Sequence, residues 1–393
     1  DNFGLYLKGI IDKYEILSYF NERKFGANGF YANPNFKDQY EETQTSLLAL
    51  TTNFSANKLK ITPRIYWRRN QDMYLFLRYN PSYYRNLHIS NKVGAELNMS
   101  YNSDYGKTGF GVDVNKVSLE SNNLGNHDRF VVTSFLEHRF KILDSKMDIT
   151  PGVAVSYYDD FGTKAFPGID VGYQLSPKIR TYANIGYTYR IPTYTDLYYK
   201  SSIEQGNPDL KPESALSEEI GLNYINKNVN FNVAFFNRNS DNLIDWTKDN
   251  LTDKWQARNF SEVTTSGLET AFSYRFKWVN FNQNLELGYT FIDDTIKDLN
   301  VAYTRYSINS MKHQFTTKLN TQFLPFLKQS IAYRFVERTH GETYGIVDAK
   351  LMVTIKKFEI SANANNIFDE VYTETNLVPM PKSNFMFGIK FQP

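Results

Sequence analysis

The chain has 393 residues, with 44 Lys+Arg against 42 Asp+Glu, 5 His and no Cys, and it is 16% aromatic but only 41% hydrophobic. No apolar run reaches the roughly 18 residues of a membrane helix, zero cysteine removes disulfide scaffolds, thiol chemistry and Cys-ligated zinc, and a net charge of +2 removes a strong electrostatic case for nucleic acid. What is left is aromatic-rich and hydrophilic at once, and it starts at Asp1 without Met or a signal peptide, as expected of a mature protein or a fragment.

Two-residue alternation, not helical periodicity, runs along the chain. It predicts about 18 strands. The first cores are 3–20, long enough to be two strands, then 42–55, 58–77, 88–102, 107–120 and 129–142. Next come 146–158, 167–175, 179–190, 214–226, 229–240 and 255–276. The last are 277–292, 310–323, 328–339, 345–355, 358–366 and 384–391. In 281–291, Phe281, Leu285, Leu287, Tyr289 and Phe291 share one face. Such runs exceed the roughly 5 or 6 residues of ordinary strands and suffice for a tilted strand to cross a bilayer core, which takes about 9 to 11.

The connections sort by length. Those at 55–58, 144–146, 176–178, 226–228 and 356–357 are short, whereas those at 25–41, 192–213, 243–254, 293–309 and 369–382 are long. Tight turns at one end and long loops at the other are the organisation of an antiparallel transmembrane β-barrel. The final strand places Phe385, Phe387, Ile389 and Phe391 on one face at the C-terminus. The alternatives are a soluble β-sandwich or propeller and a passive 18-strand porin.

Arg190-Ile191-Pro192-Thr193 runs through Asp196 into Gly206-Asn207-Pro208-Asp209-Leu210-Lys211-Pro212-Glu213, and the next strand follows. This stretch resembles TonB-dependent outer-membrane receptor barrels, as do Asn365-Asn366-Ile367-Phe368-Asp369 and the aromatic last strand. Phe25 to Tyr31, Tyr66-Trp67-Arg68-Arg69 and Ile244-Asp245-Trp246 look like the cobalamin-transporter-like receptors of Bacteroidetes. The resemblance implies a 22-strand family barrel, of which residues 1–393 supply about 18 strands, without the N-terminal plug domain. It implies a Gram-negative outer-membrane protein, embedded in outer-membrane lipids and not an enzyme. The implied function is import of a large scarce nutrient, coupled to TonB through the plug. The expected cargo is cobalamin or a related corrinoid, handed over by a surface lipoprotein, with ferric siderophore and haem as alternatives.

The motif residues Arg190, Pro192, Thr193, Asp196, Gly206, Asn207, Pro208, Leu210, Lys211, Pro212 and Glu213 are expected to brace the rim, because three prolines without amide donors suit the end of a ladder. Ligand contacts are expected at the extracellular rim from Phe30, Tyr31, Trp67, Arg68, Arg69, Tyr83, Tyr84 and Arg85, where guanidinium and aromatic faces suit anionic or amide-bearing ligands. The bland alternative for the arginines and aromatics is an interfacial girdle. Asp241, Asp245, Asp249 and Asp253 recur every fourth residue and would suit calcium in an extracellular loop, but lack the order of a known calcium loop. No other cofactor or metal is expected: the five histidines are scattered, and no nucleophile elbow, phosphate loop or zinc motif is present.

Overall fold

The computed structural model describes residues 1–29, 31, 35–297, 301–305, 311–339, 341–374 and 378–392, without the side chains of 260 and 261. Alternation becomes a single sheet of 22 strand segments. They begin β1 (Asn2–Ile11), β2 (Tyr14–Gly26), β3 (Tyr40–Thr52), β4 (Phe54–Ala56), β5 (Leu59–Leu75), β6 (Arg85–Ser103), β7 (Gly106–Ser121) and β8 (Gly125–Ile142). The middle holds β9 (Met147–Tyr158), β10 (Gly162–Ser176), β11 (Ile179–Arg190), β12 (Glu204–Gln205), β13 (Glu213–Ile225), β14 (Val229–Lys248) and β15 (Trp255–Trp278). The rest are β16 (Phe281–Lys297), β17 (Tyr303–Thr304), β18 (Met311–Leu324), β19 (Leu327–Arg338), β20 (Thr343–Ile355), β21 (Phe358–Asn365) and β22 (Asn384–Phe391). A short helix, α1 (Tyr194–Tyr198), follows β11. No described helix is long and apolar enough to cross a membrane.

Each long strand pairs antiparallel with the next in the chain, so the topology is a plain meander. The three segments of two or three residues, β4, β12 and β17, are additions to it. Among the described residues, β1 and β22 form the two edges of the sheet.

Nineteen long strands remain when β4, β12 and β17 are set aside, in agreement with the expectation of about 18 once the first run is divided. The run 3–20 is two strands, because Asp12 takes a left-handed φ of 54° and reverses the chain so that Ile11 faces Tyr14. Asp tolerates this conformation better than most residues. The run 42–55 also breaks, at Asn53 between β3 and β4. The first half of the expected loop 243–254 is strand. A bulge where Asn242 adopts a φ of 54° lets β14 continue to Lys248 against β15. Of the connections at the long-loop end, 122–124 and 159–161 are as tight as the turns opposite.

Register settles the faces. Ile16, Leu50, Ile65, Ala95, Val114, Val132 and Tyr157 lie directly opposite one another across β2 to β9. Phe231, Phe272, Leu287, Thr317, Tyr333 and Val347 do the same across β14 to β20. This face is bare: Ile65 is 58% exposed, Ile220 61% and Phe235 57%. Contact between so much apolar surface and water would cost roughly 25 cal/mol per Å², so hydrocarbon is its natural solvent. On β16 the apolar run spans Phe281 to Phe291, the length that crosses a bilayer. Toward the long loops the same outward face turns polar, with Asn237, Asn239 and Asp241 on β14, Thr264 and Ser266 on β15 and Asp293 on β16.

The opposite face is polar and ordered by close packing. Tyr66 lies over Gly94, where a Cβ would sit 2.5 Å from the ring, and its hydroxyl donates to Asp113 at 2.8 Å. Tyr182 covers Gly221 in the same way. Arg139 and Arg180 share Asp148, and Arg64 reaches Glu96.

Candidate functional site

The motif after β11 is a keystone at the long-loop end. Arg190 grips Glu213 with both arms of its guanidinium, Nε donating to Oε2 at 2.7 Å and Nη2 to Oε1 at 2.5 Å. The two residues face each other in register where β11 leaves the sheet and β13 enters it. Arg190 Nη1 also donates to Asp196 Oδ2 at 3.2 Å, and the amide of Ile244 donates to Glu213 Oε1 at 2.6 Å. Glu213 is buried, so its three donors replace water. Pro192 is fully buried, and its carbonyl accepts from Arg129.

Thr193 and Asp196 form a capping box on α1: Thr193 Oγ1 accepts from the Asp196 amide, and the Asp196 carboxylate accepts from the Thr193 amide. This satisfies donors that a helix N-terminus leaves free. Asn207 opens a turn by accepting from the Asp209 amide, and its own amide donates to the Asp196 carbonyl. Lys211 is held by its backbone, which exchanges two hydrogen bonds with the Asn259 side chain on β15. Pro208 is exposed and Pro212 half-buried. Leu210 inserts beside Leu197, Ile244, Trp246 and Ala257, a small apolar core packed against Tyr194, Tyr198, Tyr199 and Trp255. The motif therefore ties β11, β13, β14, β15 and a helix together.

Gly206 has no room for a side chain, since an added Cβ would lie 2.9 Å from the Leu197 backbone. Gly206→Ala is expected to displace the loop from α1 and cost about 1–3 kcal/mol, read as a lower urea midpoint and faster tryptic cleavage at the exposed Lys200. An unchanged midpoint and cleavage rate would show that the contact is slack.

From this keystone a chain of aromatics crosses the mouth. The Tyr199 ring lies 6.3 Å from Trp246, and the Tyr199 and Tyr84 hydroxyls share a hydrogen bond of 2.9 Å. Tyr84 approaches Tyr74 at 6.4 Å, and Tyr74 meets Tyr31 edge-on at 4.9 Å. Burial pushes the phenols of Tyr31, Tyr74 and Tyr199 well above their ordinary range. Beneath Tyr31 lies an acid pair. Burial, and then the neighbouring Asp72, raises Glu41 to about 7, against a hydrogen bond from Tyr31. Burial also raises Asp72, whose Oδ1 has no hydrogen-bond partner.

Sequence reasoning missed His127, which stacks on Tyr198 at 3.9 Å, and Arg129, which pairs with Asp160 beneath the rings of Phe161 and Tyr194. It also missed Trp255, whose ring carries Lys248 and Arg305, with Arg305 bonded to Glu204. These partners are far apart in the chain and carry no local signal.

The expected rim set divides. Phe30 lies outside the described residues. Tyr31 and Tyr84 belong to the aromatic chain. Tyr83 is 64% exposed and stacks on Phe76, and Arg85 opens β6 at the rim. Trp67, Arg68 and Arg69 require correction, because they sit in the middle of β5 and not at the rim. Trp67 lies in register with Leu48 and Val93 on the bare apolar face, which alternation makes unavoidable once Tyr66 points the other way. Arg68 joins Tyr66 on the polar face, and Arg69 falls between Ser46 and Asn91 on the outward one.

The four aspartates proposed for calcium are not gathered. Asp241 and Asp245 are in β14, Asp249 pairs with Arg258, and Asp253 accepts from Asn250. Among the described residues, no group of three or more His, Cys, Asp or Glu is placed to hold a metal ion.

Long meandering strands, an apolar outward face, a polar inward face and interlocked loops at one end define the wall of a transmembrane β-barrel of the outer-membrane type. The chain belongs to the TonB dependent receptor-like β-barrel family, whose model matches residues 4–367. The family consists of receptors of the Gram-negative outer membrane, not of enzymes, and the long loops are therefore extracellular and the short turns periplasmic. Among curated proteins, the vitamin B12 transporter BtuB of Photobacterium profundum is 27% identical over 157 residues, 39% of this chain and 25% of that protein. BtuB of Vibrio cholerae is 21% identical over 247 residues, 59% of this chain and 38% of that protein. The chain thus spans well under half the length of these relatives. The FrpB iron transporter of Neisseria meningitidis superposes with a TM-score of 0.78 at 13% identity, over 99% of this chain and 72% of that one. The siderophore receptor PirA of Acinetobacter baumannii gives 0.76 at 12%, over 99% and 70%. At such identities the structural likeness shows the fold alone.

Proposed function

We propose that residues 1–393 form barrel wall and capture loops of a receptor that imports a large, scarce nutrient, with a corrinoid of the cobalamin class as cargo. The observation that carries this reading is that the sequence relatives, aligned over up to 59% of the chain, are vitamin B12 transporters. The mouth is compatible with it. A corrinoid presents amides and a broad apolar ring edge, and the exposed rings of Tyr31 and Tyr83 offer faces for the edge, with the Tyr83 hydroxyl for the amides. An outer membrane holds no nucleotide fuel, so uphill import needs a mechanical partner. In this proposal a plug domain blocks the lumen, TonB pulls on it from the periplasm, and a surface lipoprotein delivers the cargo. A ferric siderophore is the second reading, favoured by the structural neighbours.

Cyanocobalamin and a ferric catecholate, titrated separately into the purified full-length receptor in detergent, decide the cargo. The expected result is saturable cyanocobalamin binding, weakened about tenfold, or ~1.4 kcal/mol, by Tyr31→Ala together with Tyr83→Ala. Saturation by the ferric catecholate alone would replace the corrinoid assignment, and saturation by neither would overturn both.

A further inference from the structure

The rim formed by the periplasmic turns mixes bare apolar side chains with unmatched positive charge. Lys146, Lys178, Lys356 and Lys357 stand exposed in three turns, 143–146, 177–178 and 356–357, whose only carboxylate is Asp144. None of the four makes an ion pair among the described residues. Elsewhere on the rim Lys58 is matched by Asp104, and Lys13 lies over the ring of Phe54 at 4.6 Å, so neither adds to this excess. Toward the extracellular end the outward-facing lysines are matched as well: Lys24 meets Glu22, Lys116 meets Asp128 and Lys297 meets Glu262.

The apolar part of the rim continues the hydrocarbon face. Ile142 faces Met147 across the 143–146 turn, and Ile355 faces Phe358 across the 356–357 turn. Alternation puts the first pair on the face of Val132 and the second on that of Val347. The Phe358 ring packs on Phe391 at 5.2 Å, and Leu175 is exposed beside the 177–178 turn. The Phe326 carbonyl accepts from the Thr354 amide at 2.8 Å, which sets the exposed Phe326 next to the two lysines. Lys356 moreover takes a left-handed φ of 53°, a position where two-residue hairpin turns favour Asn or Gly. Lysine is thus not the choice that turn geometry alone would make.

A soluble acidic partner would match the ammonium groups and leave the rings in water. A lipid leaflet matches both. Its acyl region takes the rings, and the long lysine stems carry their charge outward to the headgroups. Unpaired lysines at this depth gain most from headgroups with net negative charge.

We propose that this rim holds anionic phospholipid headgroups of the periplasm-facing leaflet in preference to zwitterionic ones. The surface is independent of which cargo the mouth selects, and it lies outside the lumen. The test incubates the full-length receptor, in neutral detergent, with equal amounts of phosphatidylglycerol and phosphatidylcholine. The receptor is then repurified at low salt, and the retained lipid is measured by mass spectrometry. The expected result is an excess of phosphatidylglycerol of at least about fivefold, shrinking toward parity at about 1 M salt. Lys146→Gln, Lys178→Gln, Lys356→Gln and Lys357→Gln together are expected to abolish the excess. Arg at the same four positions keeps the charge and is expected to keep the excess, which separates loss of the surface from loss of the fold. Parity in the unmodified receptor, or an unchanged excess in the Gln variant, overturns the proposal. Soluble polyglutamate retained without any excess of phosphatidylglycerol would overturn it in favour of an acidic protein partner.

Discussion

Glu213→Ala is expected to destabilise the extracellular mouth by about 3 kcal/mol. The carboxylate is buried, takes both arms of Arg190, and also satisfies the amide of Ile244. Its removal strands a buried backbone donor and releases the guanidinium. The Arg190 side chain is 43% exposed, so the screened ion pair contributes the smaller share, and most of the loss comes from the orphaned amide and the vacated space. Glu213→Gln retains an acceptor for Ile244 and should cost less than half as much. Urea midpoints of the two variants in detergent micelles measure this order, with tryptic cleavage after Arg190 and Lys200 reporting the location. Equal midpoints for Ala and Gln would mean that the Ile244 bond is unimportant.

Raising the pH from 5 to 8 is expected to loosen the packing of Tyr31 over β3 and β5, by at most about 3 kcal/mol. The pair responsible is Glu41 and Asp72, faced by Tyr31 from the loop above and Tyr74 from β5. The sign follows from proton uptake. Glu41 titrates near 7 when folded, against an ordinary value of 4.5, so between those values the folded form holds more protons than the unfolded form. Stability is therefore full below about 4.5, falls as pH rises, and stops falling above about 7. Glu41→Gln removes the charge and should flatten the profile. Cleavage at Lys37 by a protease active across this range is the measurement. A profile that keeps its slope in Glu41→Gln would assign the titration to another group.

Much of this architecture was legible in the sequence, for a physical reason. A strand with hydrocarbon on one side and water on the other must alternate, so the runs at 179–190, 281–291 and 345–355 declared themselves. The Arg190 to Glu213 motif was legible because its parts are close in the chain and Pro192, Pro208 and Pro212 restrict the backbone. Trp67-Arg68-Arg69 misled because neighbours in a strand point to opposite faces, so a tripeptide cannot act as one cluster. The upper part of β14 was hidden for a different reason. Asp245 and Thr247 are held by register with Arg258 and Thr304, contacts that no local composition announces. The aromatic chain from Tyr31 to Trp246 joins five separate stretches of sequence and exists only once the sheet has formed.

The polar collar on the outward face fixes how high the mouth stands. On β14 the last outward apolar residue before the collar is Phe235, yet the strand runs on to Lys248. Thirteen further residues of tilted strand lift the loops roughly 30 Å above the hydrocarbon. A molecule caught at Tyr31 or Tyr83 therefore stays in bulk water with its hydration shell largely intact. The expense of stripping that shell falls on the descent, not on the capture, so the selectivity of the mouth and the barrier to passage are separated along the axis of the barrel and can be altered independently.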